Sequence, residues 1–205
     1  MTSAQEVRVT TQVTEEEKSK VDQAVKKTQA SISNDINNGK GNRELALVTG
    51  VIKNQQKRGI MLIKSHDWKG QFIAKLADNN KTIFGHANGG FVHQGAPTHG
   101  NIPIVVGSKG AMMYGHYDGT TLKLGWLLAW YKPDNSNEPS KVYAEAGNLV
   151  KLMKMEWTEI EQKLDASRSV SRYSDGETGA SAAAEIKDYG DKLALIRASF
   201  DHSVA

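Results

Sequence analysis

Residues 122–131 read LKLGWLLAWY, and this stretch decides the fold class. Side chains of an extended chain alternate between two faces, so Trp126 and Trp130 share one face. Leu127 and Tyr131 share the other face, which is also apolar. A strand with two apolar faces is typical of a position buried on both sides. The stretch therefore predicts a central strand of a layered β-structure.

Other short apolar runs surround this strand, separated by turns rich in Gly, Asn and Asp. They lie at residues 45–52, 59–63, 72–74, 82–84, 90–93, 102–106 and 111–117. Asp118-Gly119 is a favourable hairpin turn directly before the central strand. Short strands at intervals of about 8–12 residues predict a sandwich or barrel. We expect a mainly β protein, an antiparallel β-sandwich whose core spans residues 44–148.

The two ends of the chain carry helical patterns. Residues 1–43 are expected to form a short strand and a helix, whose start is marked by Thr14-Glu15-Glu16-Glu17. Apolar residues at helical spacing follow the core from Leu149 to Leu164, and again from about Ala180 to Phe200. The pattern predicts a helical extension over residues 149–205 that packs on the core.

Composition excludes several function classes. The 205 residues include no cysteine, which rules out disulfides, thiolate metal sites and a cysteine nucleophile. The formal net charge is only +3, whereas a nucleic-acid-binding domain should show a marked basic surplus. No apolar stretch is long enough for a transmembrane helix. We expect a soluble cytoplasmic protein without a nucleic-acid partner.

No motif for nucleotide binding, a serine nucleophile or zinc-dependent hydrolysis is present, so neither an enzyme nor a cofactor is predicted. Aromatic residues carry more information, because several flank the polar loop 132–139. Such a surface can hold a quaternary ammonium group or a sugar, or lie at a membrane interface. The predicted ligand-binding residues are Trp130, Tyr131, Lys132, Pro133 and Tyr143.

Two alternatives remain open from the residues alone. His86, His93, His99 and His116 could supply imidazoles to zinc or copper, although their spacing matches no known metal signature. The protein could instead be a structural one that forms homo-oligomers through its C-terminal helices.

Five motifs follow one another along the middle of the chain: SHDWKG at 65–70, GGFVHQG at 89–95, GSKGAMMY at 107–114, GWLLAWYKP at 125–133 and KVYAE at 141–145. In this order they resemble the motifs of the plant 23 kDa jasmonate-induced protein family. The resemblance covers about residues 43–147, and its most specific part is WLLAWxxP followed by VYAE. It implies a stress-responsive, jasmonate-induced plant protein without a defined enzymatic activity.

The same order of strands also looks like that of aegerolysins and actinoporin-like lectins. This resemblance implies an actinoporin-like β-sandwich that binds a membrane lipid head group or a glycan. Pro133 and Tyr143 are the positions that correspond to residues of the phosphocholine site in those proteins. The charged N-terminal helix and the C-terminal extension depart from the pore-forming members.

Overall fold

A computed structural model describes residues 45–76, 82–97, 105–118, 121–135 and 137–202. The predictions for residues 1–43 lie outside this range, as do residues 102–104 of one predicted strand. The described residues belong to one compact unit, Arg43–Ala205.

Two stacked sheets make up this unit, which confirms the predicted β-sandwich. Its strands are β1 (Leu47–Asn54), β2 (Ile60–Lys69), β3 (Gln71–Leu76), β4 (Thr82–Ile83), β5 (Asn88–Gln94), β6 (Ser108–Asp118), β7 (Thr121–Lys132), β8 (Lys141–Asn148), β9 (Val170–Ser174), β10 (Ala180–Asp188) and β11 (Leu193–His202). The first sheet has the order β3-β5-β1-β11-β10-β9, and the second has the order β4-β2-β6-β7-β8.

One strand pair departs from the predicted antiparallel arrangement. β1 and β11 run parallel, with Leu47 opposite Leu193 and Asn54 opposite Phe200. The other strand pairs among the described residues are antiparallel. Because β11 lies between β1 and β10, the last of the described strands occupies the middle of the first sheet.

The main core lies between the two sheets. Trp126, Trp130, Phe91 and Phe200 are its largest side chains, and each is at most 1% exposed. The ring of Trp126 lies 6.3 Å from that of Phe200 on the opposite sheet. The prediction of an inner face through Trp126 and Trp130 is confirmed by this packing.

A second, smaller core covers the other face of β7. It contains Leu127 and Ala129 of β7 and the apolar side chains of two short helices. These helices are α1 (Leu149–Lys154), which begins at the capping residue Asn148, and α2 (Trp157–Asp165). The predicted helical region from Leu149 to Leu164 is therefore present, but it is divided in two.

The predicted helix from Ala180 to Phe200 is wrong, because these residues form β10 and β11. Buried residues alternate along both strands, and many of them are alanines. Alanine is a strong helix former in isolation, so the composition favoured a helix. In the folded chain, small alanines at every second position fit between two closely packed sheets. Gly190, with a φ of 81°, forms the turn between the two strands.

The predicted assembly through C-terminal helices loses one of its helices, because residues 180–188 and 193–202 are strands. Only α1 and α2 remain as helices in the described part of this region, and their apolar sides pack on their own sheet through Leu149, Leu152, Ile160 and Leu164. Among the described residues, no helix has the length and apolarity needed to span a bilayer.

Candidate functional site

The five residues predicted to bind a ligand do not form one surface. Trp130, Lys132 and Pro133 are buried, whereas Tyr131 and Tyr143 are partly exposed. Alternation along β7 explains the division, because successive residues of a strand point to opposite faces of the sheet. The structure thus brings the two tyrosines to one face and places the other three residues inside the fold.

Trp130 lies entirely within the main core and is 0% exposed. Its ring centroid is 4.7 Å from that of Phe91 and 5.6 Å from that of Phe72. Its indole N–H donates a hydrogen bond of 3.2 Å to the hydroxyl oxygen of Ser108. The structure therefore gives Trp130 a packing role and leaves it no surface to offer a ligand.

Lys132 and Pro133 are held at the junction of the two sheets. Lys132 is 2% exposed, and its ammonium lies 3.4 Å from Oδ1 of Asp188. The same carboxylate oxygen accepts a hydrogen bond of 2.6 Å from the hydroxyl of Ser140. A buried ammonium that is already paired has little to gain from a second anion. This corrects the prediction that Lys132 meets a polar or anionic head group.

Tyr131 and Tyr143 lie on the outer face of the second sheet. Tyr131 is opposite Lys141 on β8, so Tyr143 is two residues farther along and diagonal to it. Lys109 and Lys69 continue the row of Tyr131 across β6 and β2. A cross-strand row of this kind brings side chains from three strands into contact.

Three aromatic rings form the other side of this face. The ring of His66 stacks on Trp157 with a centroid distance of 4.8 Å and an interplanar angle of 12°. The same imidazole lies edge-on to Trp68 at 5.0 Å. All three side chains are partly buried beside α2. We call the group His66, Trp68, Tyr131 and Trp157, with Lys64, Lys69 and Lys109, the aromatic–lysine surface.

A β-bulge in β2 brings Lys69 to the same face as Trp68. The pairing of β2 with β6 shifts between Asp67 and Lys69, so Trp68 has no direct partner on β6. A bulge re-aims side chains by placing one extra residue in a strand. Asp67 contacts His93 on the inner side of the sheet, although 37% of its side chain is exposed. His66 and Trp68 share the outer face by alternation, and the bulge adds Lys69 to that face, which strict alternation does not predict.

Lysine ammonium groups occupy the faces of these rings. Lys109 lies 5.9 Å from the Trp68 centroid and 5.3 Å from the Tyr131 centroid, and Lys69 lies 5.1 Å from the Tyr131 centroid. Lys109 is 5% exposed and forms salt bridges of 2.7 Å with both Glu161 and Asp165 of α2. It therefore holds Trp68, Tyr131 and α2 in fixed relative positions.

Ionisation of this surface is shifted by its partial burial. Burial, assisted by nearby Glu138, raises the pKa of Tyr131 to about 12. The Tyr131 hydroxyl donates a hydrogen bond of 3.2 Å to that carboxylate. Burial lowers the pKa of Lys64, with Glu156 opposing the shift. The Lys64 ammonium lies 4.6 Å from the Trp157 centroid. Because the pKa of Tyr131 is raised to about 12, its side chain is a neutral hydroxyl at physiological pH.

Tyr143 has a separate polar neighbourhood on β8. Its hydroxyl donates a short hydrogen bond to Glu145, which also receives one of 3.0 Å from the ammonium of Lys163. Burial and this hydrogen bond raise the pKa of Tyr143 well above its ordinary value. The hydroxyl is therefore already bound to Glu145, and the ammonium of Lys163 lies 5.9 Å from the centroid of the Tyr143 ring.

A polar network centred on the buried residues His93 and Ser108 joins the two sheets beneath the aromatic–lysine surface. Nδ1 of His93 lies 2.8 Å from the hydroxyl oxygen of Ser108, and its Nε2 lies 3.3 Å from Oδ1 of Asp67. A serine, a histidine and an aspartate linked by hydrogen bonds in this order resemble a hydrolytic triad. Both Ser108 and His93 are 0% exposed, however, so no substrate could reach this hydroxyl without opening the core. The network links β2, β5 and β6.

The alternative metal site is not assembled among the described residues. His93 is engaged in the buried network, and Nε2 of His116 lies 3.1 Å from a guanidinium nitrogen of Arg58, a poor neighbour for a metal ion. His86 is exposed in a turn, and His99 lies outside the described residues. No group of three metal-ligating side chains is present in the described part of the chain.

Comparison with known sequences finds a plant relative. The chain is 28% identical over 191 residues to a jasmonate-induced protein homolog from Atriplex canescens, covering 92% of this chain and 94% of the relative. The resemblance to jasmonate-induced proteins is thereby confirmed. No protein-family model matches the chain.

Comparison with solved structures supports the fold. The lipid binding protein Nakanori matches with a TM-score of 0.63 and 18% identity, covering 97% of this chain and 93% of that chain. A lectin from Xerocomus chrysenteron matches more distantly, with a TM-score of 0.48 and 7% identity, over 78% of this chain and 100% of the lectin. At these identities, the match to Nakanori shows a shared β-sandwich.

Proposed function

We propose that the protein is a non-enzymatic, jasmonate-responsive stress protein of plants that binds a sugar through its aromatic–lysine surface. The sugar would be displayed either by a polysaccharide or by the head group of a glycolipid. The observation that carries this proposal is the position of Trp68 and Tyr131, two partly exposed rings held on either side of the Lys109 ammonium. Rigid aromatic platforms with a few polar groups beside them are typical of binding sites.

The charges around the rings favour a sugar over a choline group. Choline would have to approach ring faces near which Lys69 and Lys109 already lie, and like charges repel. A sugar instead offers hydroxyl groups that can both donate and accept hydrogen bonds. Asp165 is 52% exposed and Glu161 is 33% exposed, so their carboxylates can accept such hydrogen bonds.

The comparisons are consistent with this proposal at a coarser level. The sequence relative is a jasmonate-induced protein homolog, and one structural neighbour is a lipid-binding protein. A lipid with a sugar head group would satisfy both the expected lipid partner and the geometry of the aromatic–lysine surface. An open surface with two rings should bind weakly, so useful affinity requires clustered sugars on a polymer or a membrane.

Replacing Tyr131 by alanine is expected to weaken binding to clustered sugars by between about twofold and thirtyfold, the range for one cation–π or ring contact. Tyr143→Ala should have a smaller effect, because the Tyr143 hydroxyl is bound to Glu145. Binding is measured by polysaccharide pull-down and by sedimentation with glycolipid-containing and plain phosphatidylcholine vesicles. Binding in the pull-down indicates a polysaccharide as the source of the sugar, and binding to the glycolipid-containing vesicles indicates a glycolipid.

Tyr189→Ala is the matched control, because this tyrosine is 46% exposed and lies in the turn after β10. It should leave sugar binding unchanged. Circular dichroism spectra must show that each variant is folded. The proposal fails if the parent binds no sugar in either form, or if folded Tyr131→Ala and Tyr143→Ala bind like the parent.

A further inference from the structure

Two loops meet at the end of the sandwich that lies away from Trp68, Lys69 and Tyr131 of the aromatic–lysine surface. One joins β1 to β2 at residues 55–59, and the other joins β4 to β5 at residues 84–87. We call them together the loop tip. The tip adjoins the start of β2, whereas Lys69 of the aromatic–lysine surface ends that strand. Met61 and Lys69 are eight residue steps apart along this strand, which corresponds to roughly 25 Å.

A buried asparagine holds the loop tip together. Asn54 is 0% exposed, and its side-chain amide donates hydrogen bonds to the carbonyls of Arg58 at 2.7 Å, Ile83 at 3.1 Å and Phe84 at 3.0 Å. Its side-chain oxygen accepts a hydrogen bond of 3.1 Å from the backbone N–H of Gln56. One side chain therefore fixes the backbone of both loops.

The second loop is a tight turn that presses against the first. The N–H of His86 donates to the carbonyl of Gln56 at 2.9 Å, and the N–H of Ala87 donates to the carbonyl of Phe84 at 3.2 Å. A Cβ at Gly85 would lie 2.1 Å from the carbonyl oxygen of Lys57, so only glycine fits. His86 adopts a φ of 57°, the left-handed conformation. The backbone of Phe84, which precedes Gly85, is held by hydrogen bonds to its carbonyl from the side chain of Asn54 and the N–H of Ala87.

Phe84 points into solvent on this rigid support. It is 62% exposed, the highest value among the large hydrophobic side chains of the described residues. The core beside it is closed, because the preceding residue, Ile83, is 2% exposed and packed inside. A fixed backbone that presents one aromatic ring outward is a suitable wedge for the interface of a bilayer.

The two segments that form the loop tip carry only positive formal charge. Residues 53–59 contain Lys53, Lys57 and Arg58, and neither this segment nor residues 82–88 contain an acidic residue. Lys53 and Lys57 are exposed, and they form no ion pair within the described part of the chain. One acidic residue, Asp201, lies at the same end of the sandwich, because it follows Phe200, the residue opposite Asn54. Its carboxylate accepts a hydrogen bond from the backbone N–H of His202.

We infer that the loop tip docks on an anionic lipid bilayer, with Phe84 entering the interface and Lys53 and Lys57 facing the lipid phosphates. This contact goes beyond the proposed sugar site and lies at the other end of the sandwich. Basic side chains beside an anionic leaflet each strengthen binding, and the attraction is screened by salt. The aromatic ring supplies a contribution that salt does not remove.

Sedimentation of the full chain with vesicles tests the inference. The parent should bind vesicles of phosphatidylcholine with phosphatidylserine, and more weakly those of phosphatidylcholine alone. Phe84→Ser is expected to lower partitioning at least about tenfold, because a buried aromatic contact is lost. Lys57→Gln should lower it about fivefold on the phosphatidylserine vesicles only. Phe84→Trp should bind at least as well as the parent, with a blue-shifted emission on adding vesicles.

Tyr189→Ser is the matched control, because this aromatic residue is 46% exposed but lies in the turn after β10. It should bind vesicles like the parent, as should Tyr131→Ala. The inference is overturned if the parent binds no phosphatidylserine vesicles, or if folded Phe84→Ser binds them unchanged. Loss of binding in Tyr131→Ala with retention in Phe84→Ser would also overturn it, and would assign the bilayer contact to the aromatic–lysine surface instead.

Discussion

Replacing Trp126 by alanine is expected to lower the free energy of unfolding by about 3–5 kcal/mol, the usual range for a large buried aromatic residue. Trp126 is 0% exposed in the middle of the second sheet. Its indole N–H donates hydrogen bonds of 3.1 Å to the carbonyls of Ser181 and Asp201, on two strands of the first sheet. The substitution therefore removes both packing and a polar link between the sheets.

Urea denaturation of the two proteins measures this loss. Phe84→Ala is the control, because a side chain that is 62% exposed should change stability by no more than about 0.5 kcal/mol. A loss below about 1 kcal/mol for Trp126→Ala would mean that the register of β7 differs from the one described. An equal loss in both variants would contradict the assignment of Trp126 to the core.

A fragment that ends at Asn148 is expected not to fold. Although the sequence predicts a complete sandwich within residues 44–148, β11 lies between β1 and β10 in the first sheet. The fragment would lose Ile186, Ile196 and Phe200, each at most 3% exposed. Burial of each such side chain contributes about 1.5–3 kcal/mol. Their sum is comparable with the entire stability of a typical domain, about 5–15 kcal/mol.

Far-ultraviolet circular dichroism distinguishes the outcomes. The fragment 44–148 should give a disordered spectrum, whereas residues 43–205 should give the strand-rich spectrum of the full chain. A second control is the full chain with Val170→Ser, which changes a residue that is 46% exposed on the edge strand β9 and should leave the spectrum unchanged. A cooperative, strand-rich fragment would show that β9 to β11 are an addition to an independent core.

The site could be predicted only in part. Tyr131 and Tyr143 lie on one outer face as partly exposed residues, and the sequence identified both as candidates. Lys132 and Trp130 were placed with them because they are neighbours in the chain, yet they point between the sheets. Trp68 and Lys109 were missed for a different reason. Their proximity to Tyr131 depends on the register between β2, β6 and β7, which the local sequence does not determine.

The sequence by itself determined the class of fold and the faces of the central strand. Strict alternation over residues 122–131 gives this strand two apolar faces, so it must be covered on both sides. Local periodicity is sufficient to predict this position. Only the tertiary structure decided that residues 180–200 form two strands instead of a helix. Alanine fits a helix or a strand equally well by size, and here long-range pairing with β1 and packing against Trp126 select the strand. Contacts between residues far apart in the chain decide such segments, because local propensity amounts to only a fraction of the free energy of burial.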